Sequence, residues 1–341
     1  MKHRMKPLLR RRTFAFGSLA AGLAPALAPA LVTRPSPARA GKWPDGAIKF
    51  IVGYAPGGTS DVTARVLGEA VSSRLGEQVL VENKPGALGR IAIDMVARAK
   101  PDGQTFLVAP AESFYQQALE LKTPVKAADP LVPVTILTTQ SLVLAANPAR
   151  GWKTVADVIA AAKAEPDGLS YATPSSGVGS NTIAAEAILR RGGAKVVNVP
   201  YKGGGQAVQD LLANVVPLGL LGSAPVVPYI ESGKLTLLAV TSKDRDPLLP
   251  NVPGMAELGY ADVDISQWFA LFAPPKTPKE IVDRMSATLR EALADPKVIK
   301  LLANAALSPV GGTPEEFARR FEGEGAKWLK AVHALTKKNP A

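Results

Sequence analysis

Two stretches of this 341-residue chain gather the residue types that receive an anion. Pro56-Gly57-Gly58-Thr59-Ser60 follows the apolar run Ile48 to Tyr54 and precedes apolar positions at helical spacing. Thr173-Pro174-Ser175-Ser176-Gly177-Val178-Gly179-Ser180 is placed the same way, after the strand-like Leu169 to Thr173 and before a helical pattern. At such a junction glycines let backbone N–H groups turn toward one point, and the helix N-terminus adds partial positive charge. Ligands of open α/β sheets bind at the carboxyl ends of strands, where both stretches fall. Each is equally a plain turn whose glycines serve tight geometry, and for either stretch alone that is the reading the residues favour.

Other candidates carry two readings each. Asp61 suits a ligand amine or hydroxyl, but an acid in the first turn of a helix is more often simply favourable with the dipole. Tyr54 and Trp268 suit the apolar walls of a cleft or the packing of a core. Lys202, in Tyr-Lys-Gly-Gly-Gly, suits an acidic ligand or a solvated turn.

Enzyme chemistry finds little support. The chain has no Cys and two His, of which His3 lies in the N-terminal segment and His333 near the end. No His-based triad, multi-His zinc site or Cys nucleophile can be assembled. The nucleophile elbow, the phosphate-binding loop and a complete dinucleotide fingerprint are missing from the sequence. A carboxylate pair acting as acid and base is the remaining enzymatic option, and Asp61 has no evident partner for it. No metal or cofactor is expected.

The elements that would position these residues alternate along the chain. Strands are expected at Ile48–Tyr54, Gln78–Glu82, Thr105–Ala109, Leu169–Thr173, Lys195–Val199, Val216–Leu221 and Leu235–Val240. Helices are expected after Thr59 or Ser60 as cap, and at Ile91–Lys100, Thr154–Ala164, Ser180–Arg190, Gly205–Asn214 and Val226–Ser232. Alternation of this length implies parallel sheets covered on both faces. The tail differs: Pro278–Ala294, Lys297–Ala303 and Pro314–Leu335 read as helices with little strand between them. Two α/β blocks in sequence suggest two lobes, with crossings at the apolar run Leu142–Ala146 and the aromatic run Trp268–Phe272. A double crossing is a natural hinge.

The first forty residues carry an export signal. Arg10-Arg11-Arg12-Thr13-Phe14 is a twin-arginine run, Ala15–Val32 is apolar, and Ala38-Arg39-Ala40 is a small-residue cleavage site before Gly41. Pro25, Pro29 and the many small residues make a poor spanning helix. The whole chain is +11, but eight of its 40 basic residues lie in this segment; the remaining 32 against 29 acids leave only +3. No basic run interleaved with aromatics appears, so no nucleic-acid partner is expected. A soluble protein of the bacterial periplasm is expected, its signal cleaved near Ala40.

Several landmarks together carry a family resemblance. Gly53-Tyr54-Ala55-Pro56-Gly57-Gly58-Thr59-Ser60-Asp61 resembles the first-strand loop of the Bug family, the periplasmic receptors of tripartite tricarboxylate transporters. Val81-Glu82-Asn83-Lys84-Pro85-Gly86-Ala87, Pro101-Asp102-Gly103, Val199-Pro200-Tyr201-Lys202-Gly203 and Leu238-Ala239-Val240-Thr241-Ser242 follow in the family's order. Gly311-Gly312-Thr313-Pro314-Glu315-Glu316-Phe317 resembles the family near the C-terminus, so the likeness runs over nearly all of residues 43–335.

The resemblance implies an α/β, two-lobed type II periplasmic-binding-protein fold with a hinge of two crossing strands and C-terminal helices. Lobe 1 is expected from 41–142 plus 267–341, and lobe 2 from 143–266. It also implies that the two loops face each other and grip one carboxylate, largely through main-chain donors. The expected site is Tyr54, Pro56, Gly57, Gly58, Thr59, Ser60 and Asp61 with Thr173, Ser175, Ser176, Gly177, Gly179, Ser180, Leu221 and Trp268. The partners implied are a small carboxylate and membrane transporter subunits, the receptor itself being a monomer; presentation to a sensor kinase is the alternative. Thr182 stands where the family often has His, and Leu221 where it often has Asp. Both departures predict a less polar far end of the ligand, an aromatic or alkyl carboxylate.

Overall fold

The structure, a computed structural model, describes residues 43–123, 131–165, 168–176 and 179–337. The export signal, its cleavage site and Gly177 lie outside the described residues.

Short β-rich runs and glycine stops set the first half of the chain. Strand β1 (Ile48–Val52) is followed by helix α1 (Thr59–Leu75), which Gly76 ends in a left-handed cap. Strand β2 (Val79–Asn83), helix α2 (Arg90–Ala97), strand β3 (Thr105–Pro110) and helix α3 (Glu112–Leu121) come next. The long strand β4 (Val132–Ala146) then leads into α4 (Val155–Ala164), whose N-terminus is closed by a capping box between Thr154 and Asp157. Strand β5 (Ser170–Thr173), α5 (Ser180–Arg191), β6 (Val197–Pro200), α6 (Gly204–Leu212), β7 (Leu218–Gly222) and β8 (Thr236–Val240) complete the middle. The tail holds β9 (Ser266–Ala273), α7 (Lys279–Leu293), α8 (Pro296–Ala303), β10 (Ser308–Gly311) and α9 (Pro314–Lys337).

The strands run in the order β2-β1-β3-β9-β4-β7-β5-β6, with β8 and β10 also on β4. As expected, β1 is parallel to β2 and β3, and β5 is parallel to β6 and β7. Strands β4 and β9 are antiparallel to their neighbours, because each carries the chain from one half of the sheet to the other. The partners of β4 change midway. Residues up to Ser141 pair with β9 and β10, while Leu142–Ala146 pair with β7 and β8. One strand thus belongs to both halves, and the apolar run seen in the sequence is only its far end.

Each half is covered on both faces. In the first half, one core packs Phe50, Leu67, Phe106 and Leu289 under α1 and α7, and a second packs Phe114, Phe272, Phe317 and Phe321 under α3 and α9. In the second half, Tyr171, Ile188 and Leu220 fill one face, and Val143, Val208 and Leu221 fill the other.

Four sequence expectations change. The helix expected at Val226–Ser232 is only a 3-10 turn at Val227–Tyr229. Helix α1 is capped by the extended backbone of Gly58 with no side-chain cap, because the Thr59 hydroxyl is turned toward Gln140. Strand β10 appears between α8 and α9, bonded to the outer edge of β4. Helix α3 has no counterpart in the sequence reading. It starts straight out of β3 without a glycine, and its polar residues Glu112, Ser113, Gln116 and Gln117 are all buried.

Candidate functional site

The turn after β1 leaves backbone donors open at its front and is braced from behind. Gly58 is extended (φ −83°, ψ 172°), and the first helical bond of α1 runs from Val62 N to Gly58 O at 3.0 Å. The N–H groups of Thr59 and Ser60 therefore have no acceptor within the helix. Asp61 fixes the turn from behind. Its carboxylate accepts from Gly57 N (2.9 Å), twice from the Arg65 guanidinium (2.9 Å each) and from Asn83 Nδ2 (3.0 Å). Asn83 Nδ2 also donates to Tyr54 O at 3.0 Å. Burial opposes the charge on Asp61, but these donors outweigh it and hold the carboxyl below its usual range.

The turn after β5 has the same form. Gly179 is extended (φ −102°, ψ 171°), and Ile183 N donates to Gly179 O at 2.9 Å. Thr173 is fully buried and holds the loop from inside, its hydroxyl 2.9 Å from Ser175 O and 2.8 Å from Asn198 Oδ1. The difference lies at the helix start. Ser180 N donates to Glu112 Oε2 at 2.9 Å, so a side-chain carboxylate from α3 already sits on the positive end of α5.

A buried chain of side chains joins the two turns. Gln140 Nε2 donates to Thr59 Oγ1 (3.2 Å) and to Gln267 Oε1 (3.0 Å). Gln267 Nε2 donates in turn to Glu112 Oε1. Gln140 Oε1 accepts from Ser223 N (3.0 Å) and Ser223 Oγ (2.9 Å), tying in the end of β7. Gln140 and Gln267 lie where β4 and β9 cross between the halves; Gln267 lines the cleft and Gln140 is buried beside it.

The halves touch directly. Ala55 N donates to Lys202 O at 3.0 Å. A Cβ on Gly205 would lie 2.3 Å from Pro56 O, and one on Gly222 would lie 2.4 Å from both Gln140 Nε2 and Thr59 Oγ1. Only glycine allows these approaches.

Three recesses lie in this cleft. The innermost, about 30 Å³, is bounded by Gly58, Thr59 and Ser60 with Tyr54, Ser175, Gly222 and Gln267. That is room for roughly two water-sized groups, the scale of one carboxylate. Beyond Glu112 and Gln267 opens a chamber of about 270 Å³ walled by Tyr115, Trp268 and Trp328, with Arg320 at 5.3 Å over the Trp268 ring. Behind Tyr54 lies a third recess of about 90 Å³ that includes Ser175, Ser176 and Lys202. The Tyr54 hydroxyl meets Ser113 Oγ at 2.9 Å, and burial pushes its phenol well above the usual range.

Most of the expected site residues meet here, with corrections. Leu221 is fully buried among Val143, Val208 and Leu211 and does not line the cleft; the pleat turns its neighbour Gly222 inward instead. Leu221 therefore cannot set the polarity of the ligand's far end. Asp61 and Thr173 brace their loops, and their polar atoms are taken up inside the protein. Pro56 is exposed and meets Gly205 through its carbonyl. Trp268 walls the outer chamber and packs edge-on against Phe317 at 5.8 Å. Glu112, Gln140 and Gln267 are the residues the sequence reading missed. A signal existed in α3: Glu112, Ser113, Gln116 and Gln117 repeat every four residues on one helical face, a polar stripe inside an apolar context. No group of three or more metal-ligating side chains occurs among the described residues, and no described helix is long and apolar enough to cross a membrane.

Residues 63–336 match the tripartite tricarboxylate transporter family receptor. The chain belongs to this receptor family. Protein BugT of Bordetella pertussis is 35% identical over 299 residues, which cover 87% of this chain and 91% of the relative. The structure of periplasmic binding protein BugD superposes with a TM-score of 0.78 at 29% identity, covering 86% of this chain and 98% of that one. The structure of R. palustris Rpa4515 with adipate gives a TM-score of 0.80 at 28% identity, over 85% and 97% of the two chains. The receptor family shares the two-lobed type II periplasmic-binding-protein fold described above, with its hinge of crossing strands.

Proposed function

We propose that this protein is a periplasmic receptor that captures a small carboxylate between its lobes and delivers it to a tripartite tricarboxylate-type membrane transporter. The observation that carries the reading is the start of α1, where Gly58, Thr59 and Ser60 bound a carboxylate-sized recess and the Thr59 and Ser60 N–H groups have no helical acceptor. Family membership and the adipate-bound relative support the ligand class. The lobes are 41–142 with 267–341, and 143–266, turning about β4 and β9 as the hinge.

A ligand that touches both lobes binds the closed form better and shifts the population toward it. The monomeric receptor presents that closed shape to the membrane subunits. Binding is the whole of the proposed activity, with no catalytic step.

Thermal unfolding of the mature protein, refolded to remove carried-over ligand, against carboxylates and non-acid controls tests this. A ligand at about a hundred times its dissociation constant adds roughly 2.7 kcal/mol to the folded state. A rise in Tm with carboxylates alone is expected. No rise with any acid removes the carboxylate reading.

A further inference from the structure

The second turn offers its helix start to a carboxylate that the protein itself provides. Glu112 is 7% exposed, accepts from Ser180 N at 2.9 Å and is also bonded by Gln267. Glu112 comes from the segment before β4 and Ser180 from the segment after it, so this side chain spans the cleft. It stands between the small recess at α1 and the outer chamber, lining both. The charge beyond it has the same sign: the outer chamber adds Asp264 and Glu324 against the single guanidinium of Arg320, a formal net of two negative charges with Glu112.

We propose that Glu112 is the specificity-determining residue of the cleft, admitting ligands with one carboxylate and a hydrogen-bond donor at the far end while rejecting dicarboxylates. The inference rests on the carboxylate-receptor reading above. The ligand's carboxylate takes the start of α1, where donors are unfilled. Its remainder passes Glu112, whose oxygens accept hydrogen bonds and repel a second anion. A far-end ammonium or hydroxyl meets an acceptor there; a far-end carboxylate meets like charge in a half-enclosed, poorly screened site. Adipate, bound by the R. palustris relative, is the kind of ligand this arrangement excludes.

Equal-length triplets read the effect. Calorimetric titration of the mature wild-type protein with butyrate, succinate and 4-aminobutyrate, and with hexanoate, adipate and 6-aminohexanoate, should place the amino acid tightest. The dicarboxylate should be weakest, by at least tenfold. Glu112→Gln keeps the shape and an acceptor oxygen while removing the charge, and should cut the amine-to-dicarboxylate ratio at least tenfold. A wild-type protein that binds the dicarboxylate as tightly as its partners overturns the inference, as does an unchanged ratio in Glu112→Gln. The wild-type ratios decide the matter even if the variant does not fold. If no acid in either triplet binds, the receptor reading fails and the inference falls with it; if acids bind without discrimination, only the inference fails.

Discussion

The two glycine-rich turns start helices with almost the same backbone, Gly58 at φ −83°, ψ 172° and Gly179 at φ −102°, ψ 171°, yet they meet opposite fates. At α1 the braces come from behind, through Asp61, Arg65 and Asn83, and the front is left open to the cleft. At α5 the front itself is filled by Glu112, a residue 68 positions away in the chain. The same turn geometry leaves donors open at one helix start, while at the other a side chain from another element takes one up.

Exchanging each first helical residue for proline would break the comparison most sharply. Proline is tolerated at the first helical position and requires an extended residue before it, which both glycines supply. Ser180→Pro leaves the buried Glu112 carboxylate without its backbone donor. It should lower stability by about 1–3 kcal/mol in denaturant unfolding, the usual cost of an unsatisfied buried group. Thr59→Pro removes the proposed ligand donor and should weaken carboxylate binding by roughly tenfold to a hundredfold, the scale of one hydrogen bond to a charged group. Thr59→Val, which keeps the N–H, separates this from loss of the hydroxyl bond to Gln140. Equal affinity losses in Ser180→Pro and Thr59→Pro would mean that the turns are equivalent after all.

Separating the lobes comes next in size. Gly205→Ala places a methyl 2.3 Å from Pro56 O. It should hold the first turn away from the second lobe and reduce affinity by about tenfold, or ~1.4 kcal/mol. A larger radius of gyration in solution scattering with ligand present is the check. Removing the brace is smaller again. Asp61→Asn, which keeps one acceptor oxygen, should cost about 1 kcal/mol of stability, the scale of one ordinary hydrogen bond. The pH dependence follows from the lowered carboxyl. The Asp61 contribution is complete above its ordinary value of 3.8 and is lost as pH falls through the lower folded value. Wild type and Asp61→Asn should therefore converge in stability only in strong acid. Smallest is Leu221→Met, a core exchange expected to cost under about 1.5 kcal/mol with ligand preference unchanged. An altered preference would restore Leu221 to the cleft.

Much of the frame was legible in residue patterns. Glycine stops such as Gly76 and the alternation of apolar runs placed β1–β3 and β5–β8 to within a few residues, because local geometry dictates them. Both turns were visible for the same reason. Glu112, Gln140 and Gln267 were not, because their role depends on three-dimensional convergence. Each is a buried polar residue on a different element, and nothing in its local sequence shows that the chain brings all three together. Leu221 was misplaced for a related reason: the pleat alternates faces, and a one-residue choice between 221 and 222 exchanges core for cleft.

The aromatic core under α9 sets an order of assembly. Phe114 and Phe272 are in ring contact with Phe321, and Phe272 also with Phe317, so α9 helps to close this face of the sheet. At roughly 5–20 residues per second of synthesis, about 10–40 s separate the emergence of Phe114 from that of Phe317. Until then, of the described helices, α2 and α3 alone cover this face, whereas strands β5–β8 of the middle half have all been made by the time Phe317 appears. Synthesis thus completes the strands of the middle half before α9 can close this face of the first half.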